Sequence, residues 1–245
     1  MTTTAVLRSE WTKITTLRSL WLTPLASLLL TVGATFAVNA ALGKVDRSLT
    51  VDPSVGIHYG LNFGQALLVC FAVLLLGQEF NSRTIDTSLL AVPRRGLLYG
   101  GKLAVGTAVG LVVGMAGTAG AFGSYAGLGF GDWQGPAAAR SMAAGCLYPA
   151  LLVVLCFGVT GMLRNLTAAM GLLVPTVFLL SPLLSGVPGV RRAVQFLPDR
   201  AGQYALRYHD DPQVAYGHWT GLLIMAGWAA AAAYGGWRSL HRRAG

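Results

Sequence analysis

Charged side chains are scarce in this sequence. Asp, Glu, Lys and Arg together make up 11% of its 245 residues, whereas about 25% is usual for soluble globular domains. None of the six long apolar runs contains any of these residues. Ion-coupled carriers and ion channels ordinarily place ionisable groups along their path through the membrane. The sequence therefore argues against both classes.

The residues that catalysis and metal binding need are also sparse. Cys70, Cys146 and Cys156 all fall in apolar runs, and their odd number gives no disulfide framework, so we interpret them as small packing residues. The four histidines lack the i, i+4 pairing of a helical metal site, so no metal ligands are predicted. There is no G-x-S-x-G nucleophile motif, and no catalytic residue is predicted.

One stretch resembles a nucleotide-binding loop and fails on inspection. Residues 96–102 satisfy G-x-x-x-x-G-K, but Leu103 follows where Ser or Thr would hold magnesium. No strand pattern precedes the loop. We therefore expect no cofactor on this chain, and no enzymatic activity of its own.

What the sequence does contain is a series of apolar runs of about 20 residues, the length that crosses a bilayer as a helix. Six are predicted spans: 20–42, 61–77, 103–122, 141–163, 166–187 and 218–237. They predict one all-α integral membrane domain over residues 1–245, with an interfacial helix over 1–19 and a basic cytoplasmic tail over 238–245.

The orientation follows from Lys and Arg. With the N-terminus inside, 11 of the 18 basic residues lie on the cytoplasmic side, as the positive-inside rule requires. Both termini are then cytoplasmic, and the basic balance needs no nucleic-acid partner. The other seven fall on the predicted outer side, and four of them are concentrated in one segment, which is the weak point of this orientation: Arg191, Arg192, Arg200 and Arg207.

The N-terminal segment has the pattern of a helix lying on the membrane. Leu7, Trp11 and Ile14 recur at i, i+4 and i+7, which predicts an amphipathic interfacial helix. Trp11, Lys13 and Arg18 are its predicted membrane anchors.

Two features concern helix packing. Gly106, Gly110 and Gly114 repeat at four-residue spacing, which lets another backbone approach closely, either within the chain or between subunits. Asn62 and Gln65 share one face of the second span, and we interpret them as hydrogen-bonding residues between helices rather than substrate contacts.

The segment between the fifth and sixth spans has no long apolar run. Val190, Val194 and Leu197 predict a short outer-side amphipathic helix that ends at Pro198. The pattern leaves open whether this segment is re-entrant or lies on the surface.

The segment from Gly77 to Lys102 is the charged, irregular connection between the second and third spans. Pro93 ends a short predicted helix within it. One face of that helix is apolar and suited to seating it on the bundle: Ile85, Leu89 and Val92. Another face gathers charges: Glu79, Arg83 and Asp86. The cations after the helix are predicted to anchor it to anionic headgroups: Arg94, Arg95 and Lys102.

These residues resemble the membrane subunits of ABC-2 (type V exporter-like) transporters. The likeness is carried by Glu79-x-x-x-Arg83-Thr84-Ile85-x-x-Ser88, by the leucine run ending in Val92-Pro93-Arg94-Arg95, and by Gly101-Lys102. The opening Leu7-Arg8-Ser9-Glu10-Trp11-x-Lys13 is similar to the family's first helix. Arg83 departs from the pattern, because Gly usually precedes the Thr.

The resemblance implies a cytoplasmic coupling helix between spans two and three. Its ATPase-coupling residues would be Glu79, Arg83, Thr84, Asp86 and Ser88. It also implies a pair of permeases, either two copies of this chain or this chain with a related one. Two separate ABC ATPase subunits would carry the ATP and magnesium.

The expected function is therefore that of a permease subunit that moves a substrate outward across a bacterial plasma membrane. A drug, a lipid or a peptide would suit uncharged spans, although contact with lipid explains the same lack of charge. The alternative is a membrane scaffold or sensor that docks a cytoplasmic partner without transporting anything.

Overall fold

The computed structural model describes residues 3–42, 52–82, 95–129, 135–180, 183–184, 187 and 189–241. All regular structure in these residues is helical, and they contain no strand. The helices are α1 (Thr3–Thr16), α2 (Arg18–Leu42), α3 (Pro53–Ile57), α4 (Leu61–Asn81), α5 (Arg95–Gly127), α6 (Pro136–Leu163), α7 (Leu166–Pro175), α8 (Arg191–Val194), α9 (Pro198–Ala205) and α10 (His218–His241).

The long helices run up and down between two ends of one bundle. We call them the α1 end and the α3 end, after the short helices that lie there. At the α1 end Gly77 of α4 faces Leu166, and Gly161 of α6 faces Gly236 of α10. At the α3 end the His58 ring contacts Phe122 of α5 with centroids 5.9 Å apart.

Four helices are long and apolar enough to cross a membrane, by length and composition: α2, α4, α5 and α6. These four helices make the chain a multi-pass membrane protein, as the apolar runs predict. The sixth run forms α10, a helix of 24 residues that is not among these four. The fifth run forms the shorter α7, which continues as a π-helix over Thr176–Leu180.

The fifth run nevertheless spans most of the length of α4. Leu166 packs on Gly77 near one end of α4, and Phe178 lies 6.1 Å from Phe63 near the other, measured between ring centroids. Pro175 explains the change of helix type, because it has no N–H for the α-helical ladder. The Thr176 hydroxyl donates to the carbonyl of Leu172 at 2.6 Å, which satisfies a group in the distorted turn.

Several helices extend beyond their predicted apolar runs. The second predicted span ends at Gly77, but α4 continues to Asn81. The third begins at Leu103 in the sequence pattern, but α5 begins at Arg95. Both extensions carry charged residues. They show that a helix can continue beyond the apolar run that would lie in the hydrocarbon core.

The bundle core forms around α6, whose buried residues include Tyr148, Leu152 and Phe157. Its closest neighbour is α10, since a Cβ added at Gly158 would lie 2.3 Å from the backbone of Ala232. On α5, an added Cβ at Gly110 would lie 3.0 Å from Ala150, and one at Gly114 would lie 2.4 Å from the Cys146 carbonyl oxygen. The third of these glycines, Gly106, faces Leu75 of α4. The small-residue repeat therefore brings helices of the same chain together.

The segment after the fifth run differs from the prediction. The short helix α8 ends at Val194, before the predicted end at Pro198, and Pro198 instead begins a second helix. Proline suits this position, because the first turn of a helix needs no donor there. Helix α9 is largely buried, with Gly202 against Tyr148 and Met225. The segment therefore enters the bundle instead of lying on its surface.

Candidate functional site

Four charged side chains meet at the α1 end and form what we call the ionic cluster: Glu10, Lys13, Glu79 and Lys102. The Lys102 ammonium lies 2.6 Å from a carboxylate oxygen of Glu10 and 2.6 Å from one of Glu79. The Lys13 ammonium lies 2.9 Å from both glutamates. The cluster therefore links α1, the last turn of α4 and the beginning of α5 through four ion pairs.

The two deepest members of the cluster are almost completely enclosed. Glu10 is 1% exposed and Lys102 is 2% exposed. Removing such groups from water costs several kcal/mol per ion unless each is paired and hydrogen-bonded. Two carboxylates and two ammonium groups make the cluster neutral, so the attraction between the charges offsets the cost of removing them from water. Losing any one charge would leave its two neighbours with a single partner each and the cluster with one uncompensated charge.

The sequence of α1 places a carboxylate inside an apolar stripe. Val6, Glu10 and Ile14 lie one turn apart and are the buried residues of this helix. Val6 packs on Gly101, where an added Cβ would lie 2.9 Å from its side chain. The close approach of α1 to α5 brings Glu10 to Lys102.

Lys13 lies at the exposed edge of the cluster, with 38% of its side chain accessible. Burial alone would lower the pKa of this ammonium, but the hydrogen bonds to Glu10 and Glu79 outweigh it and raise the pKa above 10.5. The cation is therefore held in its charged form at all physiological pH values.

Glu79 has one oxygen that the cluster does not use. Its Oε1 accepts from both lysines, whereas Oε2 is buried and has no hydrogen-bond partner among the residues that the structure describes. Glu79 is two residues from the end of α4, where the chain continues into the segment over 83–94. The sequence analysis placed Glu79 on the coupling helix, but in the structure Glu79 belongs to the last turn of α4.

Most of that predicted helix lies outside the described residues. These positions are Arg83, Thr84, Ile85, Asp86, Ser88, Leu89, Val92 and Arg94. Arg95 is described only as the first residue of α5. The roles predicted for all of these residues stay predictions.

The structure differs from the sequence analysis at Lys102. We predicted a headgroup contact for this residue, but its ammonium is buried and donates to two carboxylates. In that position its ammonium is bound by the two carboxylates and is not free for a headgroup. Of the anchors predicted near the N-terminus, Trp11 and Arg18 are exposed, whereas Lys13 is partly exposed and pairs with Glu10 and Glu79. Their contact with a membrane stays a prediction.

A second polar network lies at the α3 end and joins α3 to the segment after α9. Asp52 accepts hydrogen bonds from the backbone N–H groups of Tyr208 and His209, at 3.1 and 3.0 Å. Burial alone would raise the pKa of Asp52, but the hydrogen bonds from His209 and Ser54 lower it below 3.8. Arg140 of α6 donates to the carbonyls of Arg207 and Tyr208.

A third polar network lies inside the bundle. Gln65 of α4 is 2% exposed, and its Oε1 accepts from the Tyr148 hydroxyl at 2.6 Å and from the Gln203 amide at 3.2 Å. Gln65 therefore connects three helices through hydrogen bonds, as the sequence analysis expected of a polar residue in this span. Asn62, one turn earlier, instead lines a cavity at the α3 end.

The sequence analysis assigned no role to Glu10 or Asp52, although the sequence contains a signal for each of them. Glu10 occupies an apolar stripe at i, i+4, i+8 with Val6 and Ile14, and a lone acid there predicts a buried partner. Asp52 precedes Pro53, an arrangement typical of a helix N-cap. Neither signal names the partner, because both partners are far away in the sequence.

The contacts at these three places are ion pairs and hydrogen bonds that join helices of the bundle. Among the described residues, no group of three or more His, Cys, Asp or Glu side chains is placed to hold a metal ion. No family model matches this sequence, and no curated protein matches it. The functional argument therefore depends on the helical architecture and on the contacts described above.

Proposed function

We propose that this chain is the membrane-spanning permease subunit of an ABC-2-type exporter in a bacterial plasma membrane. It would pair with a second copy of itself or with a related permease, and with two cytoplasmic ATPase subunits. The observation that supports this most is the ionic cluster. It joins the end of α4 to the beginning of α5, on either side of the segment that carries the family-like motif.

In this proposal the α1 end faces the cytoplasm and the α3 end faces outward. The basic residues Lys13, Arg18 and Arg238 lie at the α1 end, on α1, the start of α2 and the end of α10. That distribution agrees with the positive-inside rule. Six crossings follow if the run over 166–180 and α10 cross together with the four long apolar helices.

The cluster offers a route for motion from an ATPase into the bundle. A force on residues 83–94 would act on both α4 and α5, since Glu79 and Lys102 hold these helices together at 2.6 Å. Glu10 adds α1 to the same unit. Three helices would then move as one body against the rest of the bundle, which is the kind of change that opens a transporter on one side.

The residue roles follow from this arrangement. Arg83, Thr84, Asp86 and Ser88 would contact the ATPase. Ile85, Leu89 and Val92 would seat the coupling helix against the bundle. Glu79 would transmit the movement through the cluster, and its unused oxygen would receive a donor from the coupling segment or the ATPase.

The test is purification of the tagged chain from membranes of its own host. We expect an ATP-hydrolysing subunit to co-purify in equal copy number. Glu79→Gln should preserve that complex and lower its ATP hydrolysis several-fold, because the neutral amide loses the charge that holds two lysines. Arg238→Gln, an exposed cation of α10, is the matched control and should have little effect.

Two results would count against the proposal. The chain could be purified intact with no ATPase, which would favour the scaffold or sensor alternative. Alternatively, Glu79→Gln could leave ATP hydrolysis at the wild-type rate, which would remove the cluster from the coupling route.

A further inference from the structure

Pro149 lies near the middle of α6 and interrupts the hydrogen bonding of that helix. It has no N–H, so the Gly145 carbonyl receives no α-helical hydrogen bond from four residues later. The carbonyl oxygen of Gly145 faces α5, because a Cβ added at Gly114 would lie 3.2 Å from it. A buried carbonyl without a donor costs free energy comparable to a lost hydrogen bond. The Gly145 carbonyl therefore needs a donor from the space between α6 and α5.

That space contains a small cavity between α2, α5 and α6, which we call the kink cavity. Gly145 and Pro149 of α6 line it together with Gly114 and Thr118 of α5 and Thr31 of α2. The kink cavity has a volume of about 20 Å³. A volume of about 10–15 Å³ holds one water molecule, whereas organic ligands occupy about 300 Å³ or more. The occupant of the kink cavity therefore has to be about the size of water.

Two threonine hydroxyls in the wall of the kink cavity also need partners. Thr31 is 6% exposed and Thr118 is 7% exposed. Thr118 interacts with the Cys146 thiol, which is a weak hydrogen-bonding group. Within the described part of the chain, neither threonine donates to a main-chain carbonyl. Other buried hydroxyls of the bundle do so: Ser27, Thr35, Ser141 and Thr160.

The Thr118 hydroxyl and the Gly145 carbonyl lie close enough to share one small partner. A Cβ added at Gly145 would lie 2.6 Å from the Thr118 hydroxyl oxygen. Gly114, which faces the carbonyl oxygen, is one turn before Thr118 on the same face of α5. The carbonyl can accept two hydrogen bonds, and the hydroxyl can donate one and accept others. A water molecule has the donors and the acceptors that this pair lacks.

We propose that the kink cavity binds one water molecule, which supplies the hydrogen bond that Pro149 cannot donate. The water donates to the Gly145 carbonyl and accepts from the Thr118 hydroxyl. Its second hydrogen is donated to the Thr31 hydroxyl. Three hydrogen bonds are typical of a buried water. The bend of α6 at Pro149 is thus stabilised by a partner that can exchange.

The water has a route to this site from the α3 end of the bundle. A larger cavity there has a volume of about 310 Å³ and is lined by residues of α4 and α9. His58 and Leu61 line both this cavity and the kink cavity. The two side chains therefore form the boundary that the water crosses. Neither the site nor its route depends on the proposed export function, so the two proposals can fail separately.

The first experiment is equilibrium unfolding of the purified full chain in mixed detergent micelles, with Thr118→Val as the variant. Valine has nearly the shape of threonine but no hydroxyl, so the water would lose one hydrogen bond. The unfolding equilibrium constant should rise about fivefold, the net effect of one hydrogen bond. Without a bound water, the hydroxyl of Thr118 would be buried and poorly paired, and valine would leave stability unchanged or raise it. That result would overturn the proposal.

Loss of the contact with the Cys146 thiol would also lower stability, and Pro149→Ala separates the two causes. Alanine supplies an N–H for the Gly145 carbonyl, so the water is no longer required there. The effect of Thr118→Val should then largely disappear. Thr35→Val is the matched control, because this hydroxyl bonds directly to main-chain groups, and its effect should be the same with and without Pro149. An undiminished effect of Thr118→Val in Pro149→Ala would overturn the proposal.

A second experiment detects the water in the unaltered protein. X-ray radiolysis in heavy-oxygen water transfers the heavy oxygen to side chains next to ordered water molecules. We expect Pro149 to be labelled several-fold more strongly than Pro24, a buried proline of α2 that lines neither cavity. Equal labelling of the two prolines would contradict a water molecule at the bend of α6.

Discussion

Replacement of Lys102 by methionine is the perturbation that tests the ionic cluster most severely. Methionine has a similar length and no charge, so the change removes the ammonium with little loss of packing volume. Glu10 and Glu79 would each lose a hydrogen bond of 2.6 Å. Glu10 would remain buried with only the half-exposed Lys13 as its partner.

The expected cost can be worked out from this geometry. Removing one partner of a buried ion pair destabilises a protein by about 3–5 kcal/mol, because the other charge is left uncompensated. Lys13 still compensates part of the charge, so we expect about 3–4 kcal/mol of unfolding free energy to be lost. That corresponds to a factor of several hundred in the unfolding equilibrium constant.

A second substitution tests whether the loss of charge balance causes the loss of stability. In Lys102→Met with Glu10→Gln the cluster keeps one carboxylate and one ammonium, so the charges balance again. The double variant should recover at least half of the loss, which is a strong coupling for residues in direct contact. Arg238→Met, an exposed cation outside the cluster, should change stability by less than about 0.5 kcal/mol.

The assay is equilibrium unfolding in mixed micelles of neutral detergent and dodecyl sulfate, followed by far-ultraviolet circular dichroism. A Lys102→Met variant within 1 kcal/mol of the wild type would refute the structural importance of the cluster. Equal stability of the single and double variants would refute the charge-balance explanation.

Three further predictions concern other parts of the bundle and can be measured with the same unfolding assay. Gly158→Ala should lower the unfolding free energy by about 1–3 kcal/mol, because the new methyl group would lie 2.3 Å from the α10 backbone. The control Gly227→Ala has open space and should be neutral or stabilising. Equal effects of the two variants would contradict the close helix contact. Tyr148→Phe should cost about 1–2 kcal/mol, because a buried amide oxygen loses a donor, and an unchanged midpoint would show that this bond does not matter. The pKa of Asp52 is lowered in the folded protein, so the carboxylate stabilises the fold above pH 3.8, and this stabilisation is lost as the pH falls through the folded-state pKa. The wild type should therefore lose more stability than Asp52→Asn below pH 4. Parallel pH profiles of the two proteins would disprove this.

Much of the fold follows from one-dimensional patterns. The four long apolar helices were predictable because a run of about 20 apolar residues has few other stable solutions. The interfacial pattern of residues 7–14 likewise predicts α1, which the structure shows over Thr3–Thr16. The ends of the helices were less predictable, because charged residues such as Glu79 and Lys102 continue a helix as well as end an apolar run.

The ionic cluster could not be predicted from such patterns, for a different reason. A lysine near the end of a span is consistent with headgroup anchoring and with a buried ion pair, and only the position of α1 distinguishes the two. Glu10 is 92 residues away from Lys102 in the sequence. The spacing within α1 indicates that Glu10 is buried, but the identity of its partner requires the tertiary structure.

Helix α9 was missed because the sequence marks its beginning with a residue that also ends helices. Pro198 follows the apolar pattern of the preceding segment, and its second role depends on what comes next. The helix is short and contains few apolar residues, so its burial depends on contacts with α6 and α10 rather than on its own composition. Gly202, which lies against Tyr148 and Met225, is the residue that allows that approach.

The measurement that tests the central claim most directly is the side of the membrane on which residue 86 lies. A single cysteine would be introduced as Asp86→Cys after Cys70, Cys146 and Cys156 are replaced by alanine, and intact cells would be treated with a membrane-impermeant maleimide. A permease driven by a cytoplasmic ATPase predicts no labelling in intact cells and full labelling in inside-out vesicles. Labelling of intact cells would place the segment outside the cytoplasm, where no ATPase can act on it, and would contradict the account.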